Sequence, residues 1–460
     1  MKKTVILLLI TAVSLSAQDF GFGFGDEEEA AGSGSMASSF NVSVGGEVSA
    51  SMVGYIDDFS NGPDNVRLGD IFSGKLNFSA QTSLAEGVVN LNLQPTASPV
   101  AVDEAYVRVY LGSFDITAGL RKLTWGKADS FGPLDVINPL DTSQIYTEMA
   151  DNTSLLGVKI ARPLIHASFR FGQFSKIEGV FVPWFKPHYI PENERWTPAQ
   201  MEMLTNPQTP IPVTIIPTEP DTATLDYAQA GLRFTTTIGG ADVGVQYYYG
   251  RLPQPSVRIT NVKYNFDLSP PPIPSSVDVD ILYLYNPYHQ IGFDYAQVLF
   301  GFNIRAETAI NITEDLKGDD GSVYNPSIAW SLGFDRDLVW GINLNLQINE
   351  SIRLFHNKLG SDDMMNATTG NFDIEGGLPL TATRLTAAVS RRFLRDELEL
   401  RAAVVWGIED GDCAILPALI WTKDDISFAL SGGFFAGASD GQLGQYRNNN
   451  FLKASVTYKF

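Results

Sequence analysis

FLKASVTYKF, residues Phe451 to Phe460, decides the fold. Leu452, Ala454, Val456, Tyr458 and Phe460 fall on even positions, whereas Lys453, Ser455, Thr457 and Lys459 fall on odd ones. Strand side chains point to opposite faces in turn, so this segment has one apolar and one polar face. The same period-two pattern recurs upstream. In ELELRAAVVW, Leu398, Leu400, Ala402, Val404 and Trp406 oppose Glu397, Glu399 and Arg401. In GINLNLQIN, Ile342, Leu344, Leu346 and Ile348 alternate with Asn343, Asn345, Gln347 and Asn349, and in FNIRAETAIN, Phe302, Ile304 and Ala306 oppose Asn303, Arg305 and Glu307.

Alternation alone also suits a soluble sandwich. Three features favour a membrane barrel. The strands are long, roughly 9–13 residues, the length that crosses a bilayer at a tilt. They recur to the end of the chain with no helical domain between them. Their polar faces carry Asn, Arg and Glu, as a wet interior would. Backbone groups in lipid must be satisfied internally, and a sheet achieves that only by closing on itself; left open, it would also expose long edges.

Strands are expected at 40–56, 67–81, 87–95, 102–111, 113–124, 152–171, 175–185, 224–238, 241–251, 279–298, 300–312, 324–335, 338–354, 379–393, 397–408, 413–422, 425–436 and 450–460. This predicts an all-β, antiparallel transmembrane barrel of about 18 strands; 16 stays open because 175–185 and the turn Leu299–Gly301 are the weakest assignments. Short connections fall at Gly112, Gly239-Gly240, Asp335-Arg336-Asp337, Leu394-Arg395-Asp396 and Lys423-Asp424, and long ones at 125–151, 186–223, 252–278, 355–378 and 437–449. Tight periplasmic turns, long external loops and an even strand count are the habit of outer-membrane barrels. The proline-rich loops, with NPQTPIPVTIIPTEP and LSPPPIPSS, read as flexible external cover, with a lid or host-contact surface as the alternative.

The first residues, MKKTVILLLITAVSLSAQ, have a basic start, a short apolar run and small residues at 16–17, the build of a signal peptide over 1–17. Residues 18–39, with FGFGFGDEEEAAGSGS, read as a flexible periplasmic leader, and 40–460 as the barrel. No later apolar run is long enough for a membrane helix. Cys413 is the sole cysteine, so no internal disulfide is expected. A formal charge of −20 argues against nucleic acid as a partner. The four histidines, His166, His188, His289 and His356, show no metal-ligand spacing, and no cofactor is expected. They also stand apart from any G-x-S-x-G nucleophile elbow, so catalysis is not expected.

At the C-terminus, Tyr458 and Phe460 in VTYKF resemble the signal read by the barrel assembly machinery of Gram-negative-type outer membranes. A second resemblance lies in RKLTWGKADSFGPLDVINPLD, Arg121 to Asp141. Trp125-Gly126, Asp129 and Asn138-Pro139-Leu140-Asp141 resemble the W-G-x-x-D…N-P-x-D segment of a little-characterised family of large outer-membrane barrels, and similar runs occur in alginate-export-like, porin-like barrels. The resemblance implies a channel and names no solute.

From the residues themselves, loop 125–151 is expected to fold inward and narrow the channel, because Trp125, Phe131, Leu134, Ile137 and Leu140 are each worth roughly 1.5–3 kcal/mol when buried. Arg121 would then face Asp129, Asp135 or Asp141, and Arg108, Lys122, Lys127, Arg305 and Glu307, with Arg384, Glu399 and Arg401, would line the lumen. The structural alternative has Asp135 and Asp141 capping turns and Arg121 holding the loop. Expected partners are outer-membrane lipid, the assembly machinery, small hydrophilic solutes or ions, and further copies of the chain in a homo-oligomer. A channel for hydrophobic substrates such as fatty acids, and a structural or adhesive surface barrel, are the rival functions.

Overall fold

The computed structural model describes residues 40–57, 72–95, 98–143, 145–151, 155–192, 194–199, 201–202, 211–267, 273–356, 358, 365–366, 371–372 and 379–460. The signal segment 1–17 and the leader 18–39 lie outside them. The strands in chain order are β1 (Asn41–Tyr55), β2 (Phe72–Gln81), β3 (Ala85–Leu93), β4 (Val100–Leu111), β5 (Phe114–Arg121), β6 (Arg162–Phe171), β7 (Ser175–Val182), β8 (Val213–Thr218), β9 (Gln229–Ile238), β10 (Ala241–Arg251), β11 (Ser256–Asp267), β12 (Ile273–Leu284), β13 (Pro287–Leu299), β14 (Phe302–Thr313), β15 (Ser327–Asp337), β16 (Ile342–Arg353), β17 (Met365–Asn366), β18 (Asn371–Phe372), β19 (Thr381–Phe393), β20 (Leu398–Gly407), β21 (Asp412–Lys423), β22 (Ile426–Ala436) and β23 (Phe451–Lys459). One short helix, α1, spans Ile145–Asp151.

All but β8, β11, β12, β17 and β18 belong to one 18-stranded antiparallel sheet. It closes where β1 pairs with β23, Glu47 opposite Lys459 and Tyr55 opposite Phe451. Closure leaves no edge, which is what a spanning sheet requires. The alternation sorts as its chemistry demands. Leu452, Val456 and Tyr458 of β23 and Phe428 and Leu430 of β22 are exposed on the outer face. The inner face carries buried Gln246, Gln290, Asp294, Glu307 and Gln347.

Most connections at one end of the barrel are tight. Gly239-Gly240 and Phe300-Gly301 are two-residue turns with both residues at positive φ, the conformation that matches strand twist in a hairpin. The turn between β15 and β16 differs from expectation. Asp335-Arg336-Asp337 continues β15, and the chain reverses at Leu338–Gly341, where Trp340 takes φ 65°. A further short connection, 408–411, joins β20 to β21 at the opposite, long-loop end.

The proline-rich loops depart from plain flexible cover where they are described: β8, β11 and β12 belong with β17 and β18 to a second sheet, whereas 203–210 and 268–272 lie outside the described residues. β11 and β12 form a hairpin, and β8 lies parallel on the far side of β12. Val257, Ile281 and Tyr283 are buried together, with Ile215, Ile259 and Val279 against them. β-branched residues alternate between the prolines, and that alternation is enough to build a sheet with one apolar face. It also explains why the expected strand 279–298 is in fact two. β12 ends at Leu284 in the second sheet and β13 begins at Pro287 in the barrel. Proline lacks an N–H for the ladder and suits a strand's first residue.

Candidate functional site

The described residues of the β5–β6 connection, 122–143, 145–151 and 155–161, lie against the inner wall. Leu123, Trp125 and Ile137 are buried against Leu164, Val180, Val182, Tyr248 and Tyr288, all on β6, β7, β10 and β13. Two glycines on the wall make room. A Cβ on Gly231 of β9 would stand 2.8 Å from the Trp125 ring, and one on Gly292 of β13 would collide with Leu134. Gly126 turns the chain at φ 101°, where its own Cβ would run into Glu307.

Polar wall residues hold the backbone of this stretch. The Glu307 carboxylate on β14 accepts from the amides of Lys127, Ala128 (2.7 Å) and Leu134 (3.3 Å). Gln347 on β16 accepts from Asp129 and Ser130 N–H and donates to the Phe131 carbonyl. Gln246 on β10 donates to the Leu134 carbonyl, and Gln290 on β13 to that of Pro133, each at 3.0 Å. Asp129 takes hydrogen bonds from Arg305 and from Asn345 (2.8 Å), and Arg305 also pairs with Asp335 at 2.5 Å. Buried backbone groups need partners, and here the wall amides and carboxylates supply them.

The second half of the loop reaches another part of the wall. Arg401 of β20 donates to the carbonyls of Ala150 and Asp151, and the Asp151 carboxylate accepts from Ser431 (2.7 Å) and Lys453. Tyr146 of α1 joins an aromatic cluster with Trp196, Phe435 and Tyr446, ring centroids 5.1–5.3 Å from its own. Burial pushes the Tyr146 hydroxyl up to about 12.

Clips close the loop on itself. Asn138 accepts from Leu123 N–H at 2.7 Å and donates to the carbonyls of Arg121 and Ile160. Lys159 pairs with Asp135 and donates to Thr124 at 2.7 Å. Burial raises the Asp135 pKa, and the Lys159 ammonium opposes that shift. His188 Nδ1 accepts from the Leu140 amide at 2.9 Å, and burial lowers its pKa to about 4, which keeps the ring neutral and able to accept.

The expected residues are therefore redistributed. Arg121 does not face the aspartates; it donates to Thr117 at 3.3 Å and lies over the Tyr106 ring at 5.1 Å. Asp129 is paired with Arg305, Asp135 with Lys159, and Asp141 accepts from Ser143 in a turn. Lys122 pairs with Asp103 at 2.8 Å, and Arg108 lies over Tyr110. Glu307 binds loop backbone, and Arg401 likewise. Glu399 sits between Arg392 and Arg401. Sequence reasoning missed Gln246, Gln290 and Gln347, the neutral amides of the seat. Their signal was available, since each occupies a polar-face position of an alternating strand.

On the neighbouring wall, Val53 and Tyr55 of β1 lie in the apolar cluster that holds Tyr146, Met149 and Ala150 of α1. Lys75 of β2 is 58% exposed in its side chain and pairs with Glu47 at 2.9 Å, and Glu148 of α1 and Asp103 also act on it electrostatically.

No family model and no curated protein matches the sequence. Solved structures do. OccK8 (OprE) of Pseudomonas aeruginosa is 8% identical with a TM-score of 0.50, covering 91% of this chain and 98% of that one. OccK9 (OpdG) of the same organism is 7% identical, with a TM-score of 0.48 and 91% and 98% of the two chains covered. Salmonella typhi OmpF, solved with daunomycin, is 9% identical, with a TM-score of 0.42 and 91% and 97% covered. At such identities the likeness is one of fold: the chain has the porin-like fold of an outer-membrane β-barrel.

Proposed function

We propose that the protein is an exported outer-membrane channel for passive passage of small hydrophilic solutes or ions, narrowed by loop 125–151. The observation that carries this reading is the seat built by Glu307, Gln347, Gln246 and Gln290, four inward-facing side chains spent on holding loop backbone against the wall. A loop fixed in a wet lumen restricts what passes by size and field. The polar inner face supports water-soluble cargo over fatty acids. The formal charge of −20 supports a mild preference for cations.

Planar-bilayer recordings and liposome swelling test the proposal. Stepwise conductance and swelling in sugars are expected. Fatty-acid uptake without swelling would make it a hydrophobic-substrate channel, and silence in both assays a structural or adhesive barrel. Asp129→Asn addresses the narrowing separately: unchanged conductance and selectivity would remove Asp129 from the path.

A further inference from the structure

A cavity of about 210 Å³ opens at the long-loop end of the inner wall, over β14, β15, β16 and β19. Its polar lining is Asn311, Thr313, Ser327, Ser351 and Arg353 from the strands, Gln254 from the loop after β10, and Tyr324 and Asn325 from the segment before β15. Leu252, Pro253, Pro379 and Leu380 add aliphatic faces. Among the described residues no carboxylate lines it. The volume lies below the roughly 300–1,000 Å³ of sites for drug-sized ligands.

One observation points to a ligand, and a second ties the cavity to the loop seat. Thr313 is 5% exposed and its hydroxyl has no hydrogen-bond partner among the described residues. A buried polar atom left so costs about 1–3 kcal/mol, which a bound hydroxyl would recover. Asn311, next along the same face, links the cavity to the loop seat. Its carbonyl accepts from Gln290 at 3.0 Å, and that same Gln290 nitrogen holds the Pro133 carbonyl; its amide donates to Ser327 at 3.1 Å.

We infer that this cavity is a binding subsite for a monosaccharide-sized sugar, seated on the outer side of the narrowing loop. The amides and hydroxyls of Asn311, Thr313, Ser327, Ser351 and Gln254 complement sugar hydroxyls. The proline and leucine faces complement the C–H faces of a pyranose ring. The Arg353 guanidinium disfavours amino sugars and accommodates neutral or acidic ones. The inference names the solute class for the channel proposed above and rests on that reading.

The test uses the full chain in detergent and in bilayers. Glucose, glucuronate and glucosamine are titrated calorimetrically, and each is added to the long-loop side while ion current is recorded. Saturable binding of glucose or glucuronate with short current blocks is expected, and weaker binding of glucosamine. Thr313→Val, isosteric and free of the orphan hydroxyl, should weaken glucose binding roughly fivefold, the worth of one neutral hydrogen bond. Arg353→Gln separates the two acceptable ligands: a selective loss of glucuronate binding marks an acidic sugar, and equal losses a neutral one. Sugar binding that is absent, or unchanged in Thr313→Val while the pore conducts, overturns the subsite and spares the channel. Absence of conductance with sugar binding intact overturns the channel instead.

Discussion

Glu307→Gln attacks the seat of the inward loop at its most connected point. The residue is 3% exposed, and its carboxylate serves three backbone amides, of Lys127, Ala128 and Leu134. Hydrogen bonds to a charged group contribute about 1.5–3 kcal/mol each, so the three together bound the gross effect at roughly 5–9 kcal/mol. Keeping a carboxylate out of water takes several kcal/mol back. Glutamine retains one acceptor oxygen and turns an NH2 toward amides that also donate. The expected net loss is about 2–4 kcal/mol, a rise of roughly 30- to 1,000-fold in the unseated population of the loop. The barrel itself should persist, because the backbone ladders that β14 makes with β13 and β15 do not involve the side chain. Heat-modifiable migration on gels serves as the control for folding. Single-channel recording is the assay: the variant should flicker to a higher conductance that the parent rarely visits. Gln347→Leu, which removes the acceptor for Asp129 and Ser130, should do the same more weakly. A folded Glu307→Gln channel with the parent's conductance and noise would refute the reasoning.

Trp125→Ala should cost about 3–5 kcal/mol of loop stability by leaving a cavity over Gly231, read as protease cleavage within 122–161 that the parent resists. For His188 the folded pKa, about 4, lies below its ordinary 6.5. The unfolded loop therefore binds the proton first, and stability present above pH 6.5 is lost as the pH falls toward 4, by roughly 3 kcal/mol in all. Current noise should rise over that window, and His188→Gln should flatten the rise; an identical slope in the variant would remove His188 as its source. Lys75→Glu, at an exposed cation of β2, should raise the cation-to-anion permeability ratio by a factor of a few in reversal-potential measurements. Deleting Phe460 removes the paired backbone bonds with Gly46 that help close β23 on β1, so the folded yield in membranes should drop.

The eighteen barrel strands were legible because each carries its own record, an apolar residue for lipid and a polar one for water at every second position. Even the turn at Phe300-Gly301 fits that record once the alternation resumes at Phe302. What was not legible is where an alternating strand goes. The run 279–298 keeps its period across the break at Tyr285–Asn286, while the chain passes from one sheet to another. The charges in 121–141 show the same limit. Composition marked them as constrained, but pairing is set by which wall position each meets. Asp129 meets Arg305 from 176 residues away, whereas Arg121, close by in sequence, meets Thr117.

The seat also explains why much of the inner wall is amide where charge would suffice to hold water. A folded-in loop brings backbone carbonyls and N–H groups together, and only groups with both donor and acceptor, or a matched set of each, satisfy them. Gln347 uses its oxygen for two amides and its nitrogen for one carbonyl; Gln290 bridges Pro133 and Asn311. Charges enter where the loop offers amides alone, at Glu307, or carbonyls alone, at Arg401. A wall of lysines alone, or of glutamates alone, in these positions would keep water as well and leave half of the loop's backbone unpaired. The glutamines on the polar face are thus the trace, within the strands, of a loop packed against them.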